Sequence, residues 1–232
     1  MRDRIWSWNL AGTAISGGRA LSGVHPFGRF DGGGYWVATM QDVQVSSSDN
    51  IRAWRALRTL LDGGVTAMAV EARDVYAAPW PIVGGAPLIS ADTATDDDVT
   101  LDDGSLLAGN VISATLGADA ALRATTVQIN FASAGSTTNG LRGGERFSIQ
   151  HTTYLDRLYE IGTVSSLGSG NYSVTIRPPI REAVSAGATC EFDYPRCIMR
   201  LADPAAMDLA QQRRLYAQAS VKWVESFPPF AT

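Results

Sequence analysis

Between Gly143 and Leu201 apolar and polar residues exchange places at almost every position, the pattern of strands with one buried face. Phe147 and Ile149 alternate with polar neighbours; Leu158, Glu160 and Gly162 alternate with Tyr159, Ile161 and Thr163; Tyr172, Val174 and Ile176 repeat the pattern after a turn at Ser169-Gly170-Asn171. Pro178-Pro179 predicts the end of that strand, because proline cannot donate to a sheet ladder. The same reasoning places strands at residues 4–10, 35–45 and 65–71, then around 99–101, 106–115 and 125–131, with a turn at Asn139-Gly140. A last alternating stretch, 220–227, carries Val221, Trp223 and Phe227 on one face.

One stretch changes period. Ile51, Trp54, Leu57 and Leu61 recur at helical spacing behind the capping residues Ser47, Ser48 and Asp49, and Gly63-Gly64 stops the run. Arg52, Arg55 and Arg58 are three apart and therefore share a neighbouring face of that helix. Strand 65–71 is expected to return beside 35–45, and strand 220–227 to pair with 4–10. Pro79, Pro81, Gly84, Gly85 and Pro87 cluster where the composition turns acidic, as at a domain connection. The expected organisation is mainly β: a helix-bearing domain of residues 1–85 and 202–232, and an inserted domain of residues 86–201. For 203–218 two readings stand: Asp203 capping a helix that starts at Pro204, or an extended segment holding Met207 and Leu209.

At 232 residues, with 45% apolar and 18% charged side chains and 23 glycines, the chain has ample core for one large or two small β domains. Its net charge of −4 argues against nucleic-acid binding, which relies on clustered Lys and Arg. The acidity is local: residues 86–140 carry seven acidic groups and one basic group. The cations are 18 arginines and Lys222, a bias that genome composition explains as readily as any physics. No stretch approaches the ~20 apolar residues that span a bilayer, and the first twelve residues hold no apolar leader core. The expectation is a soluble chain made without export by a signal peptide and without membrane insertion.

Reactive constellations are sparse. A single lysine and the lack of GxxxxGK exclude a Walker-type phosphate loop, and neither GxGxxG after a strand nor a GxSxG elbow occurs. Neither His25 nor His151 sits in HExxH or beside CxxC, so no zinc site of ordinary spacing is present and no metal or cofactor is expected. His25 before Pro26 is placed as a base for a serine would be, yet a loop histidine is the ordinary reading. The run Asp92, Asp96, Asp97, Asp98, Asp102 and Asp103 reads first as a solvated acidic loop. Calcium ligation, without EF-hand spacing, and a surface repelling passing DNA are its alternatives. Asp156 with Glu160, or Glu71 with Asp74, would be the carboxylate pairs of a glycoside hydrolase; no catalytic role is expected of them. Trp6, Trp8, Trp36, Trp54, Trp80 and Trp223 serve as core or interface anchors in the first reading and as a sugar-stacking platform in the alternative. Cys190 and Cys197 flank the Tyr194-Pro195 turn, where two buried free thiols are the ordinary expectation and a bridge the other.

The order of pieces resembles a known family. A Gly-Gly-led strand, a Tyr-centred strand, a Gly-Asn hairpin, a strand ending in RPPIREAV, a Gly-Ala turn and a strand ending in IMRL resemble a small β-barrel of tail-tip proteins in long-tailed bacteriophages. Gly32-Gly33-Gly34-Tyr35-Trp36, the Arg-striped helix and ARDVYAAPWP resemble the layout of distal tail proteins of siphophages and gene-transfer-agent-like particles. The resemblance covers most of the chain and rests on short strings. It implies a β-sandwich-like domain with one helix plus an inserted small β-barrel, and a structural, non-enzymatic virion protein at the tail tip. It further implies a homohexameric ring that binds the tail tube protein above and the baseplate hub protein below. Arg52, Arg55 and Arg58 are then the candidate subunit interface. Another baseplate hub or tail-completion part of the same particle is the alternative role, and a carbohydrate-binding β module or a hydrolase the alternatives of different class.

Overall fold

The computed structural model describes residues 5–19, 21–29, 32–43, 45, 47–83, 85–89, 91–93, 107–131, 140–209, 211–212, 215–216 and 219–230. They are mainly β with one α-helix, and they form two compact units: residues 1–70 with 197–232, and residues 71–196. The expected boundaries lay at 85/86 and 201/202. The first moves because Trp80, in the proline-rich stretch, is buried in the core of the second unit. The second moves because the Arg196–Leu201 strand belongs to the sheet of the first unit.

That sheet has five strands in the order Ile5–Ala11, Tyr35–Val43, Ala219–Glu225, Arg196–Leu201 and Met68–Glu71. The Tyr35–Val43 strand takes Ile5–Ala11 on one side, with Trp8 opposite Ala38, and Ala219–Glu225 on the other, with Trp223 also opposite Ala38. Strand 220–227 therefore does not pair with 4–10 as expected; both flank the same long strand. Met68–Glu71 lies at the far edge beside Arg196–Leu201 instead of beside 35–45. The helix exit accounts for this. Gly64, at φ +99°, backs onto Leu201 so closely that an added Cβ would sit 3.1 Å from its carbonyl, so the chain leaves the helix next to Leu201. Trp36, Ala38, Val221, Trp223 and Glu225 are buried, while Ser7, Gln41 and Lys222 on the opposite face are exposed, a period-2 pattern. The last strand ends at Glu225, so Phe227 lies beyond it and is exposed. The Glu225 carboxylate accepts the Trp36 backbone N–H at 3.0 Å, just past the last ladder pair, Val37 with Val224.

The helix, Ser48–Leu60, forms where its spacing predicts. Ser47 caps it, its Oγ accepting from the Asn50 N–H at 3.1 Å, and Ile51, Trp54 and Leu61 are buried with Leu57 half-buried. Residues 203–207 are turns, not helix: the Asp203 carboxylate accepts the Ala205 N–H at 2.7 Å. Beyond them Gln211–Gln212 and Leu215–Tyr216 pair as two short strands.

The second unit holds an antiparallel sheet in the order Ala114–Leu116, Thr126–Phe131, Asn171–Arg177, Leu155–Gly168 and Arg146–His151. Ser169 and Gly170 join its longest strands in a two-residue loop with positive φ at both positions (51° and 77°), the geometry of a type I′ hairpin. The next strand stops at Arg177, before Pro178. The segment that follows closes the sheet. The Cys190 N–H donates to the Ala114 carbonyl on one edge strand, and Glu191 exchanges both backbone hydrogen bonds with Ser148 on the other. Neighbouring residues of one segment thus join the two edges into a barrel, and such closure removes exposed edges. Inside lie Trp80, Leu116, Ile129, Phe147, Tyr159, Ile176 and Phe192, with the Phe147 and Phe192 rings 5.2 Å apart. Cys190 and Cys197 are buried free thiols, and burial pushes the Cys190 thiol up to about 12. The expected strand near 99–101 and residue Asn139 lie outside the described residues; strands Leu107–Gly109 and Ala114–Leu116 occupy what was expected as one strand, 106–115.

Candidate functional site

The helix turns Ile51 and Trp54 inward, and its spacing then directs Arg52, Arg55 and Arg58 to solvent, where all three are exposed. Their partners differ. Arg52 lies 3.7 Å from Asp49, one turn earlier on the helix, and both side chains are mostly in water. Arg58 reaches Asp208 at 3.3 Å, a residue from the turn after the Arg196–Leu201 strand. Arg55 has no ion-pair partner among the described residues. The helix and that turn are also joined by the Trp54 indole N–H, which donates to the Met207 carbonyl at 2.9 Å.

The same unit carries a second feature, which the periodicity did not single out. Ala14–Ser16 and Phe27–Arg29 form a two-stranded hairpin in which every described residue from Ala14 to Gly28 is exposed. Ile15, Leu21, Val24 and Phe27 stand in water. His25 lies across this ribbon from Ser16, with Nε2 and Oγ 2.7 Å apart, and packs edge-on against Phe27. The structure therefore gives His25 a serine neighbour that no motif spacing indicated. Among the described residues no carboxylate bonds the imidazole, and the only N–H recorded on Ser16 Oγ is that of Gly18. Among the described residues this exposed serine–histidine pair has no third group of the kind that sets the tautomer in hydrolytic triads. Its evident effect is to tie the two arms of the ribbon.

In the second unit the carboxylates are engaged with loop backbone. Glu145 accepts from Arg142 and Gly143, Glu182 from Thr153 and Tyr154, Glu191 from Asp193 and Tyr194, and Asp74 from Tyr76 and Ala77. Asp193 accepts from Val111 and Ile112, yet burial still holds its carboxyl above the usual range. Glu182 is held below it, chiefly by the Thr153 N–H. The N–H groups of Ile112, Arg142, Gly143, Asp193 and Tyr194 are buried or part-buried, where a missing acceptor is costly.

The strand itself sets the first carboxylate pair apart. Asp156 and Glu160 are four residues apart on one strand, a span of ~13 Å at the usual rise, beyond the separations used in glycoside hydrolysis. Glu160 pairs with Arg146 at 2.9 Å, and Asp74 closes its own turn. His151, at a strand end, is buried and shares a 2.7 Å hydrogen bond with the Tyr159 hydroxyl. Burial lowers its pKa to about 4, with Arg157 and Arg181 adding to the fall and Glu182 opposing it. Trp36, Trp54, Trp80 and Trp223 are buried; Trp6 and Trp8 are half-buried and stack at 6.1 Å. Among the described residues no group of three or more His, Cys, Asp or Glu is placed to hold a metal, and Asp96, Asp97, Asp98, Asp102 and Asp103 lie outside them. Among the described residues no helix is long and apolar enough to cross a membrane.

Compared with models of known protein families the chain matches none, and no curated protein matches it.

Proposed function

We propose that this chain is a structural subunit of a long-tailed phage particle, one that assembles as a ring at the distal end of the tail tube and links tube to baseplate hub. The observation that carries the reading is the order of its parts. A sheet unit bearing one helix is interrupted after Val70 by a unit whose sheet closes into a barrel, and resumes at Cys197. That is the layout implied by the resemblance to distal tail proteins. The work of such a subunit is geometric: identical contacts repeated head to tail close into a ring only when the rotation per subunit fits. Ile5–Ala11 and Met68–Glu71, the outer strands of the first sheet, offer edges through which neighbours would join by sheet extension.

Negative-stain microscopy of the purified full chain tests this directly, and sixfold rings are the expected result. Threefold particles would move the chain to a hub role in the same baseplate. A monomer at every concentration, with specific retention on a glycan array, would replace both readings with a carbohydrate-binding module. Four of the six tryptophans are buried and so take no part in such a role.

A further inference from the structure

Among its described residues the Ala14–Arg29 hairpin contributes no buried side chain, although its sequence is not that of a solvated loop. Ile15, Val24 and Phe27 are 56%, 61% and 68% exposed, and Leu21 is fully exposed. A two-stranded hairpin is marginal in water without a covered apolar face, and Leu21, Val24 and Phe27 leave apolar surface on this one uncovered. Its charge is one-sided as well. Residues 4–30 contain Arg4, Arg19 and Arg29 and no carboxylate. Removing the two arginines of the hairpin from the count leaves the remainder of the chain at −6, against −4 for the whole. Residues 86–140, with seven acidic groups and one basic group, account for that −6, so a cationic, apolar ribbon is complementary to this acidic segment of another copy. It is poorly suited to an anionic bilayer, which the net charge of the chain would repel.

We propose that this hairpin is a docking arm whose occupant is a second copy of the same chain, reached head to tail. Leu21, Val24 and Phe27 supply the apolar contact, and Arg19 supplies the charge that orients it. The inference rests on the ring reading and names the element that would make the contact between neighbours. A contact of this kind is heterologous: the arm of one copy meets a different surface on the next, as ring closure requires. The Ser16–His25 bond at 2.7 Å and the Gly17 N–H on the Pro26 carbonyl at 2.9 Å hold the ribbon in one shape before docking, which lowers the ordering cost of association.

Two full-chain variants test the arm. With a photo-crosslinking phenylalanine at Val24, irradiation should yield a covalent dimer whose crosslinked peptide comes from a second copy. Leu21→Asp with Phe27→Asp should leave the thermal melt unchanged, because neither side chain is buried, and should raise the self-dissociation constant measured by sedimentation at least tenfold. Rings that persist in the double variant, or a crosslink confined to one chain within intact assemblies, would overturn the arm while leaving the ring reading in place. A wild-type chain that stays monomeric throughout would overturn both. Co-sedimentation of the wild type, but not the double variant, with phosphatidylglycerol vesicles would assign the hairpin to a lipid surface and overturn the proposal.

Discussion

The Trp54 indole N–H donates to the Met207 carbonyl at 2.9 Å, tying the helix to a turn 153 positions along the chain. Met207 is itself buried and held at φ 122°, a conformation side chains with a Cβ rarely adopt. The turn is therefore kept in an unfavourable backbone state by burial and by this bond. Trp54→Ala is expected to destabilise the first unit by about 3 to 5 kcal/mol, as for other large buried aromatics. Trp54→Phe keeps most of the apolar volume and leaves the carbonyl without its donor, for a loss of about 1 to 3 kcal/mol. Urea melts followed by far-ultraviolet dichroism separate the two. A Trp54→Phe variant as stable as the native chain would mean that the bond contributes nothing beyond packing.

His151 gives the second unit a pH dependence of definite sign. Its folded pKa is lowered from the ordinary 6.5 to about 4 by burial, so the folded chain refuses a proton that the unfolded chain accepts. The associated stability is complete above pH 6.5 and is lost as pH falls from there toward about 4. Over that window the shift corresponds to roughly 3 kcal/mol at most. Glu182, held below the usual range by the Thr153 and Tyr154 N–H groups, adds a loss of the same sign as it protonates at still lower pH. Denaturant titrations at pH 7, 5.5 and 4.5 should show a falling midpoint in the native chain and a shallower fall in His151→Gln, which does not titrate. A parallel decline in both would place the effect elsewhere.

Gly143 tests the backbone of the barrel. At φ 100° it sits so close to the neighbouring strand that an added Cβ would lie 2.4 Å from the Gly162 carbonyl oxygen. The conformational strain alone is worth ~1–3 kcal/mol for a residue with a side chain, and backbone atoms on both sides cannot simply swing away. Gly143→Ala should lower the melting temperature by several degrees. Gly144→Ala makes a useful control: its φ of 92° carries the strain, but nothing lies within 4 Å of the added Cβ. The difference between the two isolates the clash.

Features written in adjacent residues were legible in the sequence, and features that depend on distant partners were not. The helix could be read because Ser47, the Ile51–Trp54–Leu57–Leu61 spacing and Gly63-Gly64 all act within one or two turns. The Ser169-Gly170 hairpin is equally local. Barrel closure was hidden, because Cys190 and Glu191 bond to opposite edge strands through isolated backbone contacts that leave no alternation. The pairing of Ala219–Glu225 with Tyr35–Val43 was misread for a related reason: alternation tells which face is buried but not which strand lies alongside. At the candidate interface, three-residue spacing correctly turned Arg52, Arg55 and Arg58 outward. It could not show that Asp208 comes round to Arg58, nor that Ile15, Leu21, Val24 and Phe27 stand exposed on the hairpin, which has too few positions for a period.

The arginines now have different expected phenotypes. Arg58 forms a half-exposed pair with Asp208, so Arg58→Ala should cost the monomer about 0.2 to 1 kcal/mol, removed by salt. Arg55 has no ion pair to lose within the described residues, and its reversal should leave the monomer melt almost intact. If it faces an acidic group on a neighbouring subunit, Arg55→Glu replaces attraction with repulsion at that contact. Assembly should then weaken, and more at 50 mM than at 500 mM salt, since surface charges interact over about 10 Å at 0.1 M and far less at higher ionic strength. Sedimentation velocity of Arg55→Glu, Arg52→Glu and the native chain at both salt concentrations makes the comparison. Arg52 already has Asp49 beside it, so its reversal should perturb the helix start as well as any contact, lowering the melting temperature where Arg55→Glu does not. Undiminished assembly in Arg55→Glu would leave the stripe as solvated surface and place the weight of subunit contact on other faces of the first unit.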